Sequence, residues 1–150
     1  MRLMAVALVA LMSWSLAPPV GAQTTSTWTN LGSGLAGATG IPQLVGSGGL
    51  SAGDPFFVLI LSNGKPQSPA VLFFTLSTQP LTPAPFKCGA LYPFPGFTLS
   101  LFTSGGGGIS LSMVTHPVIP NTSMYFQYVI VDPAALCGVS LSNAVRMDTV

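Results

Sequence analysis

Charge is what this sequence has least of. It carries four basic side chains, three acidic ones and one histidine in 150 residues, and no glutamate at all. Removing Arg2, which belongs to the leader described below, leaves Lys65, Lys87 and Arg146 against Asp54, Asp132 and Asp148, a net charge of zero. Nucleic acid needs a basic patch for its phosphates, and three scattered cations do not make one. An anionic membrane surface is disfavoured as a partner on the same ground.

Cysteine is equally scarce. Cys88 and Cys137 are the only two, with no Cys-x-x-Cys spacing and a single histidine for company. A metal site or reactive thiol pair therefore has little to build on, and a structural disulfide is the expectation. Bridging them closes a loop of about 50 residues, for roughly 4 kcal/mol in the chain-entropy treatment.

Catalytic signatures are missing too. His116 is the lone side chain suited to general-base work near neutral pH. A hydrolase would pair it with Asp54 or Asp132 and a serine, but no Gly-x-Ser-x-Gly elbow marks a nucleophile. Both aspartates precede proline, which suits turn initiation better than paired-carboxylate chemistry or calcium ligation. Gly32-Ser33-Gly34-Leu35-Ala36-Gly37 matches the dinucleotide pattern, yet Gly40 and Pro42 follow where that fold needs a helix. Gly105 to Gly108 has no Lys-Ser/Thr after it and reads as a turn, not a phosphate loop. No cofactor or metal is expected. Asn121-Thr122-Ser123 matches the glycosylation sequon, which in a bacterial protein would usually mean nothing.

What is present begins with an address. Arg2, the apolar run 3–16 and the small residues up to Ala22 form a secretory signal peptide, with cleavage expected after Ala22. The run is too short for a membrane span, and prolines follow it. Residues 1–22 are thus a leader and 23–150 a single domain.

Glycine (17) and proline (14) fall between apolar runs rather than inside them, the composition of a β protein with many turns. Strands are expected at 27–31 and 42–47. The run 56–61, Asn63-Gly64 and 70–76 read together as a hairpin with a type I′ turn. Residues 86–92 read as a strand carrying Cys88. Residues 97–103 and 109–113 alternate apolar and small polar residues, so 97–114 reads as a second hairpin. Met124 to Val131 is apolar on both faces and fits a central strand, ended by Asp132-Pro133. Val139 to Val145 returns as the last strand. No segment has helical spacing. The expectation is an all-β antiparallel sandwich, jelly-roll or immunoglobulin-like, of about eight strands.

Six aromatics, Trp28, Tyr92, Phe94, Phe97, Tyr125 and Tyr128, are available for stacking on sugars, although most are expected in the core. Trp28 and Tyr92 are the candidate ligand-stacking residues.

Several stretches carry a family resemblance. They are Trp28-Thr29-Asn30-Leu31-Gly32, Gly34-Leu35-Ala36-Gly37, Gly40 to Gly46, Gly53-Asp54-Pro55 and Pro85-Phe86-Lys87 with Gly89 and Tyr92-Pro93. Tyr125-Phe126-Gln127-Tyr128, Val131-Asp132 and Ser142-Asn143-Ala144-Val145 close the pattern. In order and spacing the chain resembles an uncharacterised family of small secreted all-β domains of planctomycete-type bacteria. The resemblance implies export and a β fold, and brings no catalytic residue. The resemblance often puts glycine or another small residue where Cys88 stands, which implies that the disulfide is a local addition and not the organising feature of the fold.

The functional expectation is a secreted, non-catalytic module with a structural, adhesive or assembly role at the cell surface, the periplasm being the other compartment open to it. Its partners would be other cell-surface proteins or further copies of itself. A carbohydrate-binding module using exposed aromatics on polysaccharide is the alternative, and a hydrolase using His116 the remote one.

Overall fold

The structure, a computed structural model, describes residues 27–49, 56–114 and 120–149. They form eleven strands and no helix: β1 (Thr27–Gly32), β2 (Gln43–Gly48), β3 (Phe56–Ser62), β4 (Pro69–Ser77), β5 (Ala84–Phe86), β6 (Gly89–Leu91), β7 (Phe97–Phe102), β8 (Ile109–Val114), β9 (Ser123–Val131), β10 (Val139–Leu141) and β11 (Ala144–Asp148). The leader, Asp54 and His116 lie outside the described residues.

Two antiparallel sheets face each other. The larger runs β1-β11-β9-β4-β7, with β10 also on β9, and the smaller runs β2-β3-β8. The expected β-sandwich is therefore what forms. The strand count exceeds the expected eight partly because 86–92 is not one strand. It is the hairpin of β5 and β6, with Cys88 in its turn and Lys87 at a positive φ of 52°. A second reason is that β10 and β11 are one strand interrupted by a bulge. Leu141 pairs with Val129 and Val145 with Phe126, so three residues (142–144) face two (127 and 128).

Neither expected hairpin forms. β3 pairs with β2 and β8, while β4 pairs with β9 and β7. The segments 56–76 and 97–114 each cross from one sheet to the other, and the two crossings lie side by side. The Gly64 N–H donates to the Gly107 carbonyl, and that of Gln67 to Ser104 (2.9 and 3.1 Å). Thr103 and Ser68 close the arch through N–H···O bonds in both directions, one to a carbonyl and one to the Thr103 hydroxyl. A Cβ at either Gly64 or Gly107 would strike the other residue's backbone, so these glycines serve close approach. Asn63 takes a positive φ of 58°, as its residue type allows, but Gly64 does not, and no I′ turn results. Physically, one long antiparallel ribbon is folded at its middle, half of it in each sheet.

Alternation then sorts the side chains. Phe126, Tyr128 and Ile130 of β9 face Phe57, Leu59 and Leu61 of β3 and Leu44 of β2 in the main core. The opposite face of β9 is covered as well. Val129 packs with Val139, Leu141 and Leu91, against Leu35, Phe73 and Phe86. A strand buried on both faces explains why 124–131 is apolar apart from Gln127.

Candidate functional site

The sandwich has one sealed flank and one open flank. On the sealed side Asn143, at the β10–β11 bulge, reaches the backbone of Leu44 in β2. It accepts from the Leu44 N–H (2.7 Å) and donates to the Leu44 carbonyl (2.9 Å). Trp28 adds to this seam. Its indole N–H donates to the Gly48 carbonyl (3.0 Å), and its ring sits against Phe57 and Phe126 with centroids 5.9 Å away in each case. Gly46 lies so close under the ring that a Cβ there would overlap it.

The open flank is made by β7 and β8, the outermost strands of the two sheets. β7 pairs with β4 on one side, and no described strand pairs with the other. Its Phe97, Leu99 and Leu101 stand opposite Phe74, Leu72 and Ala70, in the rows that form the core deeper in. Here those rows run out to solvent. Phe97 is 64% exposed, Leu99 37% and, on the other face, Phe102 72%. The Phe97 ring keeps a contact with Phe74 at 5.6 Å. Ile109, Leu111 and Met113 of β8 are half-buried against the main core. No charged residue occurs in either strand. Apolar surface is reached here together with unpaired backbone, which is the chemistry of an interaction edge.

The residues singled out from the sequence are placed as follows. Cys88 and Cys137 are bonded, with Cα atoms 6.1 Å apart, tying the β5–β6 turn to the 132–138 loop. Trp28 is half-buried in the sealed seam. Tyr92 is half-buried, and its backbone N–H donates to the Gln127 side chain (3.0 Å). The two are not in ring contact with each other. Asp132 is fully buried and starts the turn that contains Pro133, its carbonyl accepting from the Ala135 N–H (2.9 Å). Its carboxylate accepts N–H bonds from Ala38 (2.7 Å) and Ala134 (3.2 Å), and Lys65 stands 3.7 Å away. The groups around Asp132 are thus donors and a cation rather than further cation ligands. Among the described residues no three His, Cys, Asp or Glu side chains gather as a metal site would need. Arg146 pairs with Asp148 at 3.0 Å. Burial acts to lower its guanidinium pKa, but Asp148 and Tyr125 outweigh that and leave it raised.

A shallow hollow of about 460 Å³ lies at the far end of β4, lined by Leu76, Ser77, Thr78 and Thr122. It holds hydroxyls and no titratable group.

Two amides escaped the sequence reading. Gln127 is fully buried in β9, accepts from Tyr92 and donates to the carbonyls of Ala90 (3.1 Å) and Ser142 (3.0 Å). It thereby holds the β5–β6 hairpin on the large sheet. Asn143 does the same work between the sheets. The available signal was a lone amide inside an otherwise apolar strand, which must find partners when buried. The exposed phenylalanines Phe56, Phe94, Phe97 and Phe102 were likewise indistinguishable from core residues by type. Comparison with protein-family models, curated proteins and solved structures returned no match for this chain.

Proposed function

We propose that the chain is a secreted, non-catalytic β-sandwich module with a structural, adhesive or assembly role at the cell surface. The observation that carries this reading is β7. It is a regular six-residue edge strand with exposed Phe97, Leu99 and Phe102 and no charge, proline or bulge to discourage pairing. Soluble β proteins ordinarily blunt such an edge. Leaving it bare favours a strand-like partner. The leader ending at Ala22 supports export, and the Cys88–Cys137 bond fits an oxidising compartment.

Polysaccharide binding is the second reading. With Trp28 engaged in the seam, its rings would come from the four exposed phenylalanines. These lack the polar handle of tryptophan or tyrosine, which ranks the reading below assembly.

The test is retention of the purified protein on a washed cell-envelope preparation. Phe102→Lys on the outer face of β7 should abolish retention without altering the thermal midpoint, Leu99→Lys should abolish it with some loss in the midpoint because Leu99 lies in the core-facing row beside Leu72, and Val45→Lys on the far sheet should not affect it. Undiminished retention of both β7 variants would contradict the proposal. Release of the wild-type protein by soluble glycan would favour the second reading.

A further inference from the structure

We infer that the β7 edge takes a second copy of this chain, joined by an antiparallel β7-to-β7 ladder about a two-fold axis. The inference rests on the assembly reading above and names its partner.

The two edges of the large sheet differ. β1 carries a register shift between Asn30 and Gly32. Asn30 folds its side chain back to accept the Gly32 N–H (2.9 Å), and Gly32 has a positive φ of 74°. A bulged edge twists away from a flat partner. β7 pairs with β4 in unbroken register from Phe97 to Phe102. A sheet with one regular edge and one blunted edge is suited to pairing like with like. That gives a closed two-fold dimer, whereas joining β7 to β1 would give an open chain.

In a two-fold antiparallel ladder the same few residues face each other across the axis, so any charge on the strand meets its own kind. β7 and its neighbour β4 contain none, over Phe97–Phe102 and Pro69–Ser77. The edge is self-complementary in the one respect that most often forbids self-pairing.

Counting β10 and β11 as one line, the large sheet is five strands wide. Two joined at β7 make ten, about the limit for a twisted open sheet. The inner-face Phe97, Leu99 and Leu101 of the two copies would then continue one apolar row across the junction.

The experiment is sedimentation equilibrium on the protein produced from the full chain, over roughly 1 μM to 1 mM. The wild type should pass from monomer to dimer and stop there. Leu99→Lys and Leu99→Glu should each weaken dimerisation by at least about tenfold, and a mixture of the two should recover it. Phe102→Lys is the second variant, because a residue 72% exposed tolerates lysine in the monomer. A monomer at every concentration overturns the inference. So does a dimer indifferent to all three variants, or growth into polymers or fibrils. A monomer that still binds the envelope through β7 overturns this inference alone and leaves the assembly reading standing. Loss of both overturns both.

Discussion

Asn143 pairs with Leu44 as though it were a residue of a neighbouring strand: its amide oxygen takes the Leu44 N–H at 2.7 Å and its amide nitrogen reaches the Leu44 carbonyl at 2.9 Å. The same nitrogen also donates to the Asn30 side chain at 3.1 Å. One side chain thus joins β2 to the β11 and β1 side of the larger sheet, and it can do so because the bulge at 142–144 breaks the strand there. Asn143→Ala leaves both a backbone donor and a backbone acceptor without partners in a buried seam. The expected cost is roughly 2–4 kcal/mol in urea unfolding. A loss under about 0.5 kcal/mol would show that the seam is held by packing around Trp28 instead.

Gln127 is the corresponding clasp on the other face. Gln127→Leu keeps the volume but strips the Tyr92 N–H and the Ala90 and Ser142 carbonyls of their shared partner. Hydrogen exchange should accelerate first at Tyr92 and along Gly89–Leu91, ahead of the main sheets. Equal acceleration everywhere would mean that the hairpin and sandwich open as one unit.

Reduction of Cys88–Cys137 releases the same hairpin from a second direction. The two sulfurs close a separation of 49 residues, so their loss should cost about 4 kcal/mol. The β5–β6 hairpin makes no ladder with either large sheet. Circular dichroism of the reduced protein should therefore retain its β signal under native conditions, with the denaturant midpoint lowered. Collapse of the whole signal on reduction would contradict this separation.

Tyr128 lies fully buried in the main core, and its hydroxyl has no hydrogen-bond partner among the described residues. Burial pushes its pKa up to about 12. Above pH 10 the unfolded chain gives up this proton while the folded one keeps it. Stability from this group is therefore complete below pH 10 and is lost as pH rises through 12. Tyr128→Phe removes an unsatisfied polar atom, so at neutral pH its stability should match or slightly exceed the wild type. Its alkaline decline between pH 10 and 12 should also be shallower. A large loss at neutral pH would reveal a partner for the hydroxyl, such as a buried water.

Strand positions were legible because alternation and turn residues report how each segment is buried. The expected 27–31, 42–47 and 70–76 differ from β1, β2 and β4 by a residue or so at their ends. Partners were not legible. A half-buried strand such as Phe97–Phe102 alternates the same way in a hairpin or in an arch, and Asn63-Gly64 permits a tight turn without demanding one. What decided the matter was the need to cover the Phe126, Tyr128 and Ile130 face of β9, which sends β3 and β8 to the opposite sheet. The disulfide could be read from scarcity alone. Exposure of the phenylalanines could not, since it follows from which strand ends up outermost.

The central claim is that β7 is an interaction edge, and amide exchange along it tests that most directly. In dilute protein the outward-facing amides of Thr98–Phe102 should exchange fast. At high concentration, or bound to envelope material, they should slow by at least about tenfold while the loop 103–108 stays unchanged. If β7 exchanges equally fast in every condition while the protein remains bound or associated, the contact lies elsewhere and the account of this edge is wrong.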